Sequence, residues 1–275
     1  MTAMVRKMPI GLMDVATPTS EICSISCSVC GIYALCREAN GPDVDPRLQE
    51  SIVKNRRLLK RGEFLYRIGD PLRAIYAIRS GSIKTCVRTN DGRVQITSFH
   101  ISGDVLGLGA FATHHYASEA QVMETTMVCE VPVDVLEAYG NENPSIRQQM
   151  VKILSQEILD NQELLLLLGK KNAEERLATF LLSLSRRLLK RSYSPLEFNL
   201  SMSRSDIGSY LGMAEETVCR VLARFEEEGL IVLTRRHVQL LNPDRLMVLA
   251  GDESAVKSKE VPGAAFGNAC AGLKT

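Results

Sequence analysis

No long uncharged apolar run occurs in the 275 residues. The longest aliphatic string, LLLLL at 164–168, is far shorter than the roughly 20 residues a membrane-crossing helix needs. The opening stretch MTAMVRKMPIGLMDV holds basic side chains but no compact apolar segment with a small-residue cleavage site. No secretory signal is therefore read, no membrane partner is expected, and the cytoplasm is the expected compartment. Nowhere does the sequence offer the nucleophile, acid–base pair or phosphate-cradling loop of an enzyme, so catalysis is not expected. Excess charge is scarce too, at +1 overall. Residues 170–250 lean mildly basic, with thirteen Lys and Arg against ten Asp and Glu; that permits a nucleic-acid partner without requiring one. Cysteine is sparse, eight in all, yet four fall within CSISCSVCGIYALC at 23–36. Reduced thiols clustered this way hold metal or do redox chemistry more often than they form structural disulfides.

What is present divides into two globular units joined by a helix, an α+β architecture, at 45% apolar and 24% charged residues. Residues 1–50 form an N-terminal segment carrying the cysteine loop. Over 51–142 short apolar stretches alternate with glycine turns (RGEF, IGDP, RSGS, NDGR, SGDV). Around Asp91-Gly92 the alternation of YAIRSGSIKTCVRTNDGRVQITSFHI predicts a hairpin, and the whole predicts a small β-roll or jelly roll of the cyclic-nucleotide-binding kind. After Pro144 the period changes. Arg147, Val151, Leu154, Ile158, Asn161, Leu165 and Leu168 recur at spacings of four and three, the seam of a two-stranded coiled coil over 143–171. The same periodicity would suit a helix lying on its own barrel. Its length without an internal Gly or Pro favours a homodimer, with Asn161 as a polar seam residue that sets register.

Residues 172–250 read as a winged helix-turn-helix. Ser203 and Asp206 form a capping box, Gly212 ends one helix, and a second runs from about Glu215 to Glu228. LIVLTRRHVQLL supplies the wing. Gly208 lets the two helices approach, whereas Ala214 is a poor cap. Glu216, Cys219 and Arg220 share one helix face. There Arg could bond guanine and Glu a cytosine amino group, with Ser203, Arg204 and Thr217 at phosphates. An exposed i,i+4 ion pair between Glu216 and Arg220 is the alternative. Residues 251–275 are expected to be a disordered tail in which Cys270 is incidental.

Taken together, C-x-x-C-x-x-x-x-x-C at 27–36, IYAIRSGSIK at 75–84, TTMVCEVP at 125–132, RQQM at 147–150, KKNAEERLA at 170–178 and the helix-turn-helix resemble the CRP/FNR superfamily of bacterial transcription regulators, and within it the FNR branch. The resemblance covers residues 20 to 250. It implies an oxygen-responsive regulator of anaerobic gene expression. In it a 4Fe-4S cluster held by Cys27, Cys30, Cys36 and Cys129 favours a dimer on palindromic double-stranded DNA, in contact with RNA polymerase through the 81–92 hairpin. Cys23 matches an extra cysteine outside the ligand set. A flexible loop at 27–36 would wrap such a cluster readily. Zinc or a dithiol sensor remains the alternative, because C-x-x-C also marks zinc sites, and Cys129 could instead be a buried strand residue, as Cys86 is expected to be. His114 and His115 are expected at the surface. Relatives in the superfamily bind a cyclic nucleotide through an acid and an arginine. Asp104 keeps the acidic position, but residues 103–122 contain no Arg or Lys, so no cyclic nucleotide is expected. Three departures from the FNR pattern stand out: Cys219 in place of a serine, Asn161 in place of an aspartate, and Val29 with Gly31 beside the cluster cysteines.

Overall fold

The computed structural model describes residues 26–40, 52–89 and 91–251. Cys23, Cys270 and the tail from 252 onward lie outside the described residues. A 3-10 turn at Cys27–Val29 leads into α1 (Tyr33–Asn40). The β-roll follows, as β1 (Asn55–Leu59), β2 (Phe64–Tyr66), β3 (Ala74–Ser80), β4 (Ser82–Arg88), β5 (Val94–Ile101), β6 (Val105–Leu106), β7 (Glu119–Val122) and β8 (Thr126–Pro132). These strands make two antiparallel sheets, ordered β1-β8-β3-β6 and β2-β7-β4-β5. The hairpin read from Asp91-Gly92 is β4–β5, paired from Ser82 opposite Ile101 to Arg88 opposite Val94. Gly92 takes a φ of +84°, open to glycine at little cost, and its N–H donates to Thr89 O at 2.9 Å. Side chains such as Ile78, Ile83, Val122 and Val128 fill the space between the sheets.

Helix α2 (Val133–Glu142) hands over to α3 (Pro144–Lys170). Asn143 caps α3 by accepting from the Ser145 N–H at 2.9 Å, and Pro144 at the first position needs no donor there. At 1.5 Å per residue α3 is about 40 Å long. The structure sorts its apolar residues into two columns, each with a seven-residue step. Val151, Ile158 and Leu165 are 60, 58 and 71% exposed. In the other column Leu154 packs on the β-roll side, Asn161 lines a cavity under the helix, and Leu168 packs on the DNA-binding domain. One column thus lies on the chain's own β-roll and DNA-binding unit, and the other is left open at the surface. Leu159 and Leu166, also exposed, widen the outward stripe beyond the sequence-predicted seam.

The third unit contains α4 (Ala173–Lys190), β9 (Glu197–Asn199), α5 (Arg204–Leu211), α6 (Glu215–Glu227), β10 (Ile231–Thr234), β11 (His237–Leu240) and α7 (Pro243–Leu249). The wing sheet runs β10-β11-β9. Helix α7, unread in the sequence, buries Leu246. Core residues of α4, α5 and α6 are continuous with Cys86, Ile96, Phe99 and Met123 of the β-roll. Phe99 sits at the junction, 5.9 Å from the Phe180 ring and 5.1 Å from Tyr210. Burial of a side chain this size contributes about 1.5–3 kcal/mol, enough to seat the DNA-binding unit firmly on the strands.

Candidate metal centre and nucleic-acid interface

The cysteine segment is more helical than the loop its composition suggested. Cys27 opens the 3-10 turn, whose Cys30 N–H donates to Cys27 O at 3.0 Å; the Tyr33 N–H then bonds Cys30 O at 3.0 Å and α1 begins. Cys36 therefore lies inside a helix, 4% exposed. Consecutive local bonds from Ser26 onward explain the winding: small residues leave the amides free to turn back on the chain. A backbone hydrogen bond ties the segment to the β-roll, the Gly31 N–H donating to Gly103 O at 2.8 Å. A Cβ on Gly31 would stand 2.8 Å from that oxygen and 2.9 Å from Val105, so only glycine permits the approach. Cys129 sits in β8 between Arg56 of β1 and Ala77 of β3. It is half-buried and shares an apolar core with Cys30, Cys36, Val131 and the α3 residues Ile146, Met150, Ile153 and Leu154.

Burial pushes the Cys30 thiol up to about 11 and the Cys36 thiol up to about 12, and each of the two is raised further by the cysteines around it. Burial also raises Cys129, with Arg56 and Arg79 opposing. All four sequence-predicted ligands thus lie within electrostatic reach of one another. Arg79 donates toward Cys27 Sγ at 3.6 Å, and Arg191 lowers Cys30, so guanidinium groups frame the sulfurs. Among the described residues no three His, Cys, Asp or Glu side chains stand close enough to hold a single metal ion. An all-thiol set with positive charge around it fits the chemistry of an anionic iron–sulfur group. Cys86 is buried in β4, with its thiol toward Glu119 Oε1 at 3.4 Å, a strand residue as expected. His114 and His115 are exposed.

At the other end of the molecule, α5 and α6 form the expected turn. Ser203 Oγ accepts the Asp206 N–H at 3.0 Å while Asp206 accepts the Ser203 N–H at 3.0 Å. Gly212 adopts φ +62° at the end of α5. A Cβ on Gly208 would meet Met213 O at 2.6 Å, which is why the helix entering the turn carries glycine there. Ala214 makes no side-chain cap. Glu216, Cys219 and Arg220 are all exposed on α6, and among the described residues neither Glu216 nor Arg220 enters an ion pair. Thr217 is half-buried. Ser203 was expected at phosphate, but its hydroxyl donates to Asp206 Oδ2 at 2.8 Å and is spent on the cap. Arg204 reaches Arg235 O at 3.3 Å, tying α5 to the wing. The wing turn exposes Arg235 and Arg236, which the residue-by-residue reading passed over. The Arg-Arg pair between two short strands was the available signal.

Asp104, which keeps the acidic position, is engaged within the chain itself. Its carboxylate is bound by Arg187 and Arg191 of the DNA-binding unit, Arg191 Nη2 lying at 3.2 Å. Burial opposes its charge, but Arg187, His100 and Arg191 together hold its carboxyl below the usual range. It does not line the cavity beneath α3. That cavity, about 200 Å³, is bounded by Tyr66, His100, Tyr116, Glu157 and Asn161 among others, with no Lys or Arg. The 81–92 hairpin is also less free than expected. Lys84 pairs with Asp206 at 2.7 Å and the Ile96 N–H bonds Ser209 Oγ at 3.1 Å, so α5 covers its inner part and only the tip near Asp91 and Arg93 is open.

A β-roll, a long connecting helix and a winged helix-turn-helix with its recognition helix exposed define a DNA-binding transcription regulator rather than an enzyme. Residues 56–143 match the Cyclic nucleotide-binding domain family and residues 175–249 the Crp-like helix-turn-helix domain. The chain is 43% identical to the Fumarate nitrate reduction regulatory protein of Klebsiella oxytoca, over 83% of this chain and 92% of that protein. It is 42% identical, with the same coverage, to the Fumarate and nitrate reduction regulatory protein of Escherichia coli (strain K12). The solved structure of FixK2 from Bradyrhizobium japonicum superposes with a TM-score of 0.66 at 31% identity, over 71% of this chain and 96% of that one. This protein belongs to the CRP/FNR family of transcription regulators. Among its described residues no helix is long and apolar enough to cross a membrane.

Proposed function

We propose that this regulator responds to oxygen in the cytoplasm through a 4Fe-4S cluster held by Cys27, Cys30, Cys36 and Cys129, and that the loaded form dimerises along α3. The observation that carries the reading is the shared core in which Cys30, Cys36 and Cys129 pack with Ile146, Met150, Ile153 and Leu154 of α3. Thiols raised to about 11 and 12 must shed their protons to become ligands; Arg191 favours that ionisation at Cys30, as Arg56 and Arg79 do at Cys129. When bound, the cluster supplies a centre that oxidants can destroy. The protein's own task is to make the order of residues 27–36 felt at α3, where α1 packs. A change of about 1–3 kcal/mol in pairing free energy suffices.

Val151, Ile158 and Leu165 present the outward column for a second copy, and Leu154 and Asn161 set how the helix lies on its own subunit. A dimer carries two α6 helices, spaced for half-sites about 34 Å apart, hence a palindromic operator. Arg220 and Glu216 suit a G·C pair, with Cys219 beside them, while Arg204, Thr217, Arg235 and Arg236 suit phosphates. RNA polymerase would meet the hairpin tip at Asp91 and Arg93. No cyclic nucleotide enters this reading: Asp104 is engaged by arginines, and a phosphate beside Glu157 would be buried without a cation.

Anaerobic purification tests it. A brown protein with iron and acid-labile sulfide, both lost together with operator binding in Cys129→Ser or Cys30→Ser, is the expected result. A colourless protein with stoichiometric zinc, or a Cys129→Ser variant that keeps its metal and its operator, overturns it.

A further inference from the structure

One carbonyl oxygen receives donors from both ends of the molecule. Gly103 O accepts the Gly31 N–H, next to Cys30, at 2.8 Å and Arg191 Nη2, at the end of α4, at 3.1 Å. A carbonyl has two lone pairs, so these two partners fill it. The same guanidinium donates from Nε to Ser102 O at 3.2 Å and from Nη2 to Asp104 Oδ1 at 3.2 Å, and Arg187 adds Nη2 to Phe99 O at 2.7 Å. Asp104 is in turn set by the Ile101 N–H at 2.8 Å, and the Gly103 N–H by Ile78 O at 2.7 Å. The turn 101–104 is therefore pinned to β3 and has little freedom to absorb a displacement on one side without passing it to the other. With 19% of its side chain exposed, Arg191 makes these bonds largely out of water, where each counts for more than at a free surface.

We propose that Arg191 is a positioning residue that couples the cysteine segment to the DNA-binding domain within one subunit, through the Gly103 carbonyl and without passing through the α3 pairing surface. The inference rests on the reading of residues 27–36 as the sensing segment. Order imposed on Cys30 sets the Gly31 amide, the amide sets the 101–104 turn, and the turn sets one end of α4, the helix on which α6 packs. Loading would then act twice, once by pairing subunits and once by setting the angle at which each offers its recognition helix.

The test uses the full chain with Arg191→Lys, which keeps the positive charge near Cys30 but cannot repeat the bonds from Nε and Nη2, and with Arg191→Gln, which removes the charge as well. Two measurements are made: amide hydrogen exchange of residues 26–36 in the metal-free protein, and operator affinity of loaded and metal-free forms, with metal content and self-association followed alongside. The expected result in both variants is exchange at 26–36 faster by about fivefold or more, and in the Lys variant, whose charge and metal content are kept, an affinity gain on loading that shrinks by a similar factor with self-association unchanged. Wild-type exchange rates and wild-type gain in the folded Lys variant overturn the proposal. Absence of iron and sulfide from the wild-type protein would count against the cluster alone, since the exchange measurement needs no metal.

Discussion

The helix-turn-helix and the cysteine segment are built on opposite principles. From Ser203 to Glu228 the determinants are local: a capping box closes within three residues, Gly212 ends α5, and Gly208 meets the turn that follows it. From Cys27 to Cys36 the local bonds wind the chain, but its place depends on Gly103, Val131 and Ile146, which come from distant parts of the sequence. A reader whose shape is set within itself keeps that shape whatever happens at the sensor. On the function proposed above, regulation then acts on where the readers stand and how many stand together, through α3 and the 101–104 turn.

The largest expected effect comes from breaking the local side of this contrast. Gly208→Val places a branched side chain where even a Cβ would be 2.6 Å from Met213 O, a backbone atom that cannot swing away. A loss of about 3 kcal/mol in the DNA-binding unit is expected, with operator binding abolished in gel-shift assays and metal retention at the cysteines unaffected. Next comes the ground on which the cysteine segment rests. Burial pushes His100 down to about 4, with Asp104 opposing and Arg187 reinforcing, and Thr85 Oγ1 stands 3.3 Å from its Nε2. Because the folded value lies below the unfolded one, this stability is intact above pH 6.5 and is lost as the pH falls from there through 4. The full drop is about 3 kcal/mol, measurable by urea unfolding at a series of pH values, and His100→Gln should flatten it. Protection of residues 26–36 should decline over the same interval before that of α5 and α6.

The same contrast explains what could be read beforehand. Caps and turns in 203–228 are signalled by adjacent residues, so the DNA-reading helices were legible nearly residue by residue, as was the β4–β5 hairpin around Asp91-Gly92. The grouping of cysteines was legible, but the helix at Cys36 was not, since no cap or periodic pattern announces α1 in so short a stretch. The engagement of Asp104 was not legible for a related reason: its partners, Arg187 and Arg191, lie over 80 residues away, and only the packing of α4 on the strands brings them to it. In α3 the four-three spacing was plain, but spacing alone cannot say which column faces out. The exposure of Val151, Ile158 and Leu165 beside the inward turn of Leu154 follows from the barrel that α3 crosses.

A smaller effect should mirror the first. Gly31→Ala forces the cysteine segment away from Gly103 O and Val105, at a local cost of about 1–2 kcal/mol. Faster hydrogen exchange at 26–36 and faster loss of metal to a chelator are expected, with the melting of the winged unit unchanged. An equal loss of stability in α5 and α6 would mean that the two regions are less separable than their bonding suggests.

The smallest effect is the sharpest test of independence. Ala214 stands at the start of α6 with no side-chain acceptor for the free amides of the first turn, while Glu215 and Glu216 offset part of that deficit by placing negative charge at the positive helix end. Ala214→Ser supplies the missing acceptor and should stabilise the DNA-binding unit by about 1 kcal/mol, seen as a rise in denaturant midpoint at unchanged slope. Since the cap is local, the gain should be the same in metal-free and metal-loaded protein, and the ratio of their operator affinities should not move. A gain confined to one form would place the start of α6 among the parts that the sensor controls, and the reader would then be adjusted in shape as well as in position.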